Sequence, residues 1–212
     1  MNQSERDPEN EQAVTPPVPR KRTGGRSARV RDAVLAATLD QVAEHGIEGL
    51  TIGDVAARAG VAETTIYRRW GTRTALVAEA VTELAAVANP APDTGALRAD
   101  LQLLAEQISQ LISRPGVARL VGTTIALSVD PEVAAARHRF WNDRFERTSQ
   151  VIDRAVERGE LPEGTNPREV IETLSAPLYF RLLVGDEAID DAFIARCVDN
   201  TLTLHGNCRL NH

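Results

Sequence analysis

Six of the seven residues from 63 to 69 carry hydrogen-bonding or charged side chains: Glu63, Thr64, Thr65, Tyr67, Arg68 and Arg69. Together they offer hydroxyls, guanidinium groups and one carboxylate. That set suits donation to phosphate oxygens and to base edges, not bond breaking. Arg68 could read guanine through O6 and N7, a pairing that discriminates by about 1–3 kcal/mol. It could equally clamp a phosphate or form a surface ion pair. Tyr67 reads as a phosphate ligand, because Ile66 already fills the inward position. Glu63 either accepts from a cytosine amine or caps a helix dipole, and capping is the simpler role. Trp70 reads as core, closing the unit against the first helix.

The elements that must position these residues lie in Thr51–Trp70, TIGDVAARAGVAETTIYRRW. The pattern is two short helices broken by a glycine turn. Ala56 is small enough for the second helix to approach the first. Gly60 supplies the left-handed backbone of a tight interhelical turn. Ile66 anchors the second helix on the first. The second helix then presents Glu63, Thr64, Tyr67 and Arg68 to solvent, as a major-groove reader does. Thr51, with Asp54 three residues on, gives a start like a capping box.

The charge agrees once it is divided. The whole chain carries a net charge of -6. Residues 1–19 are acidic at -3, residues 20–73 basic at +4, and residues 74–212 acidic at -7. Phosphate binding needs a local positive patch, so the total is a poor guide. Residues 1–26 are expected to be a disordered arm with a basic end, Arg20-Lys21-Arg22 through Arg26 and Arg29. Beside a DNA-reading unit, that end becomes a phosphate or minor-groove arm, with Arg29 its last contact.

Helical periodicity continues to the end of the chain. Val30, Val34, Ala37, Leu39 and Val42 share a face from Ala28 to His45, and Gly46 stops that helix. Thr74–Val87 is alanine-rich and helical. Asn89-Pro90-Ala91-Pro92 ends it. Leu97 to Leu111, Val117 to Val129, Asp130 to about Arg158, a helix opened by Asn166-Pro167, and one opened by Asp190 or Asp191 follow. Pro177 is expected to kink the penultimate helix. With no strand pattern, the fold class is all-α. The expected organisation is the arm (1–26), a helix-turn-helix DNA-binding domain (27–74), a connecting helix (75–89), a larger helical domain (93–206) and a tail (207–212).

This front part resembles the TetR family of bacterial transcriptional regulators. The match runs from about Val34 to Val81, and its most specific pieces are TIYRRW and the TRTALV that follows. The resemblance implies a homodimer whose reading helices enter successive major grooves of a near-palindromic operator. It also implies a small-molecule effector that binds the second domain and releases the DNA. By the same resemblance Thr51 holds a phosphate, and Ala62, Glu63 and Thr65 fall at base-facing or phosphate-facing places. Tyr67 touches the backbone, Arg68 is a variable reader, and Arg73 stands where a lysine meets a phosphate. Arg68-Arg69-Trp70 departs from the family's usual residues, so the operator sequence is not transferable.

In the second domain Trp141, Phe145, Tyr179 and Arg181 offer the mostly apolar mixture of a pocket for a small molecule. Ordinary core packing is the alternative. His138, between Arg137 and Arg139, reads as a solvated face. No His, Cys or carboxylate cluster has metal-ligand spacing, and no nucleophile motif is present, so neither an enzyme nor a cofactor is expected. Cys197 reads as a small apolar residue and Cys208 as part of the tail. The last two helices are expected to form the dimer through a four-helix bundle. No apolar run spans a membrane and no signal peptide is apparent, which predicts a cytoplasmic protein. The rival reading is a helical adaptor whose second domain binds a protein partner and exposes an apolar patch for it.

Overall fold

The computed structural model describes residues 25–126 and 130–206. The expected arm, except its last two residues, the expected tail with Cys208, and residues 127–129 lie outside that range. The described residues form nine helices and no strand, so the fold is all-α. None of these helices is long and apolar enough to cross a membrane.

The first core is built by α1 (Gly25–Gly49), α2 (Ile52–Ala59), α3 (Glu63–Trp70) and the front of α4 (Arg73–Ala88). Val34, Leu50, Val55, Ile66 and Leu76 are its deepest residues. Gly46 leaves helical geometry at φ 76°, which interrupts α1 where the sequence predicts a stop. Gly60 closes α2 at φ 66°, ψ 37°, the left-handed conformation that only glycine adopts cheaply. Thr51 accepts from the Asp54 amide at 3.1 Å and donates to the Asp54 carboxylate at 2.6 Å. Such an N-cap is worth about 1 kcal/mol.

The second core joins α5 (Leu97–Ile112), α7 (Pro131–Glu157), α8 (Pro167–Leu183) and α9 (Asp191–His205). Leu101, Leu104, Ile152, Leu174 and Val198 are fully buried in it. The free thiol of Cys197 is buried among them, and burial pushes its pKa up. Asp130, Asn166 and Asp190 cap α7, α8 and α9 with their side chains, which explains why each helix starts where it does. α8 continues as one helix across Pro177.

The two cores meet through α4 and α6 (Pro115–Ala126). Leu120 of α6 belongs to the first core. Arg144 of α7 is 7% exposed and donates to the carbonyls of Ala85 and Asn89 at 3.2–3.3 Å, holding the carboxyl end of α4. Desolvation lowers its pKa. At the other end of α4, the Thr72 hydroxyl donates to Glu132 at 2.5 Å. These two contacts place α4 and α7 side by side, running in the same direction.

Candidate nucleic-acid interface and ligand cavity

The register of α3 separates an inner and an outer face. Ile66 is 1% exposed and Trp70 8%, while Tyr67 is 52% exposed. Ala62, Glu63, Thr64, Arg68 and Arg69 are also exposed, and Thr65 is half-buried. The outward set matches the residues whose chemistry suits a groove. Glu63 opens α3, and its carboxylate leans against α2, where a β-carbon on Gly53 would stand 3.3 Å from Oε1. The Arg69 guanidinium lies 5.3 Å from the Trp70 ring centroid. Such stacking is worth about 0.5–1 kcal/mol at an exposed site and fixes Arg69 against the domain. No described residue offers Arg68 a hydrogen bond or ion pair.

The Glu79 carboxylate of α4 fixes the pose of α3. Trp70 Nε1 donates to Glu79 Oε2 of α4 at 2.9 Å. Arg31 of α1 holds the other oxygen of Glu79 at 2.7 Å and Glu83 at 2.8 Å. Thr51 is exposed at the head of α2 with its hydroxyl in the cap. Arg73 is exposed at the head of α4 and donates from Nη1 to the Leu50 carbonyl at 3.2 Å. Arg29 is exposed near the start of α1.

Between the cores lies a cavity of about 410 Å³. One wall is α4, through Arg73, Val77, Val81 and Ala85. Leu111, Leu120 and Val121 line it from α5 and α6. The opposite wall is α7 and α8, through Val133, Arg137, Phe140, Trp141, Tyr179 and Leu183. Trp141 meets Tyr179 edge-on at 5.5 Å and Phe140 at 5.2 Å. Burial pushes the Tyr179 phenol up to about 12, against a smaller opposing pull from the Arg144 charge.

Of the four pocket residues expected from sequence, Trp141 and Tyr179 line this cavity and Phe145 and Arg181 do not. Phe145 packs on the second core, with the Arg168 guanidinium 4.4 Å over its ring. Arg181 borders a shallower hollow between α8 and α9. There it pairs with Glu187 at 2.9 Å and stacks 4.4 Å over Phe193. The reason is angular: residues two apart on a helix point to different sides, so Arg181 cannot follow Tyr179. Sequence reasoning missed Phe140 and the whole α4 wall. Among the described residues no group of three or more His, Cys, Asp and Glu could hold a metal ion.

Comparison with known proteins agrees with this geometry. Residues 34–80 match the model of bacterial regulatory proteins of the tetR family. Residues 91–201 match that of the tetracyclin repressor-like C-terminal domain. The chain is 34% identical over 154 residues to the HTH-type transcriptional regulator AqdR of Rhodococcus erythropolis, covering 73% of this chain and 74% of that protein. It is 29% identical over 182 residues to the DNA-binding transcriptional repressor TetR of Mycobacteroides abscessus, covering 80% and 90%. Its fold is similar to the crystal structure of the TetR family transcription regulator SCO0332, with TM-score 0.73 and 28% identity over 82% of this chain and 97% of that one. With the helix-turn-helix in register and both halves matched, the chain belongs to the TetR family of bacterial transcriptional regulators.

Proposed function

We propose that the chain is a dimeric, cytoplasmic repressor that binds a near-palindromic operator and is relieved by a small molecule. The observation that carries the DNA reading is the outward face of α3. Thr64, Tyr67 and Arg68 are exposed on it, while Ile66 and Trp70 lock its inner face. Tyr67, Thr51, Arg73 and Arg29 contact phosphates, and Arg68 reads base edges, with Ala62, Glu63, Thr64 and Thr65 against the groove and Arg69 supporting from its seat on Trp70. Relatives carry the name of repressor, which favours repression over activation here.

Dimerisation is supported by large apolar side chains left exposed on and next to α8 and α9. Phe180 is 65%, Val184 69% and Leu204 69% exposed, surface that a second copy would cover. Relief of repression is supported by the cavity, which touches α4 along its length. A ligand acts only if it binds the DNA-incompetent spacing of the two reading heads more tightly than the competent one.

The test is a gel-shift titration with DNA from upstream of the chain's own gene, repeated at two salt concentrations and followed by a genome-wide binding selection. Salt-sensitive binding of an even number of subunits to one site is the expected result. Arg73→Ala should reduce the logarithmic salt slope by about 0.9 for the phosphate contact it removes. Failure to select any DNA site in either assay overturns the reading.

A further inference from the structure

The cavity between α4 and α7 extends along both helices and differs at its two ends. Its α4 wall runs from Arg73 to Ala85, about 18 Å at the rise of an α-helix. Its α7 wall runs from Asp130 to Trp141, roughly 16 Å by the same measure. The wall between the ends is apolar, through residues such as Val77, Val81, Leu120 and Val133.

The end beside the first core carries donors for an anion. Arg73 and Asp130 line that end, and Arg137 stands about two turns along α7 from Asp130. The Asp130 carboxylate is engaged in capping α7, accepting from the Glu132 and Val133 amides at 2.8 and 3.1 Å, and Glu132 is engaged with Thr72. No described carboxylate pairs with Arg73, whose bond to the Leu50 carbonyl leaves most of its five donors for other partners. α4 and α7 run in the same direction, so the positive ends of two helix dipoles, 16 and 27 residues long, point to this end together. The far end is aromatic, closed by Trp141 and Tyr179, and the Tyr179 hydroxyl has no hydrogen bond to a described residue.

We infer that the effector is an amphipathic acid. Its anionic head binds the Arg73 end, and its apolar body lies along α4 towards Trp141 and Tyr179. This rests on the reading of the cavity as the effector site. It adds a direct element to regulation, because one guanidinium cannot serve a ligand carboxylate and a DNA phosphate at once. Binding the acid would withdraw Arg73 from the operator backbone as well as shift α4.

The test uses three probes with one body and different heads: decanoate, decan-1-ol and decylammonium. Each is titrated calorimetrically into the full chain without DNA. Decanoate is expected to bind about tenfold or more tightly than the other two, as a charge-assisted hydrogen bond provides. Arg73→Gln should remove that preference and leave decan-1-ol unchanged. Arg98→Gln, which deletes the same charge at the Asp199 pair outside the cavity, should keep it. Ala78→Trp, which fills the slot, should abolish decanoate binding. Equal affinity for the three heads, a preference that survives Arg73→Gln, or no binding of any probe would each overturn the inference. Operator binding is measured separately on the same protein. Its presence with no probe bound sinks only this inference, and its absence with decanoate bound sinks only the DNA reading.

Discussion

Gly116 stands against Ala43 so closely that a β-carbon on Gly116 would lie 2.9 Å from both the Cα and the Cβ of Ala43. The first turn of α6 therefore rests directly on Ala43 of α1, with only its methyl group at the contact. Because Leu120, one turn further on, lines the cavity and belongs to the first core, this contact joins the ligand chamber to the DNA-reading unit.

Gly116→Ala is expected to force α6 away from α1. Overpacking of this kind costs about 1–3 kcal/mol. For a chain of this size that is a fall in Tm of roughly 2–4 °C for each kcal/mol. Denaturant titration of Gly116→Ala, Ala43→Gly and the double variant checks it. Ala43→Gly alone costs about 1 kcal/mol through helix propensity, yet in the double variant it should recover part of the Gly116→Ala loss. Strict additivity of the two would show that the two residues do not oppose each other.

Arg144 makes a second prediction. Its fork donates to two carbonyls at the end of α4, Ala85 and Asn89, from a buried position. Arg144→Ala leaves the Asn89 carbonyl without its donor, while the Ala85 carbonyl keeps the Asn89 amide, and should cost about 1–3 kcal/mol. Arg144→Lys should restore only part, because a single ammonium on a flexible stem cannot serve both carbonyls in the same geometry. Equal stability of the lysine variant and the parent chain, by urea melts, would count against the fork.

The reading unit was legible in the sequence because its determinants are local. Gly60, Ala56 and Ile66 act within twenty residues of one another, and side-chain caps such as Thr51, Asp130 and Asn166 fix where helices begin. The cavity was not legible, because six helices far apart in sequence build it. An aromatic in α7 or α8 is equally suited to core or cavity until those helices are placed. Trp141 and Phe145 show this: four residues apart on one helix, one faces the cavity and the other the second core. Arg144 did leave a signal. It stands four residues before Thr148 and seven before Val151, on a face otherwise buried, where an arginine needs carbonyl partners.

Tyr179 gives a prediction in alkaline solution. Its phenol is raised from 10.0 to about 12 by burial. Below the lower value both folded and unfolded chains keep the proton. Between the two, the unfolded chain loses it and the folded chain holds it. Stability should therefore fall as pH rises from about 10 to about 12, and Tyr179→Phe should flatten that fall. The chain has two tyrosines, so Tyr67→Phe isolates the signal. Phenolate absorbance of that variant titrating at the ordinary value would refute the burial of the hydroxyl.

The last prediction concerns Glu79, whose two oxygens are shared between Trp70 of α3 and Arg31 of α1. One carboxylate thus sets the angle at which the reading helix leaves the domain. Glu83 meets the same arginine at 2.8 Å but touches nothing in α3, and its side chain is 46% exposed. An exposed pair of that kind contributes about 0–1 kcal/mol. Glu79→Ala leaves the Trp70 indole N–H without its acceptor, and a lost partner at a partly buried donor costs about 1–3 kcal/mol. Glu79→Ala should therefore lower operator affinity by more than its loss of global stability accounts for, because the pose of α3 loosens while the core stays packed. Glu83→Ala should leave operator affinity within about twofold, since a change of that size lies below 0.5 kcal/mol. Gel shifts on both variants, each paired with a denaturant titration, decide it. Similar losses of operator affinity in the two would mean that Arg31, and not the Trp70 contact, carries the orientation of the reading helix.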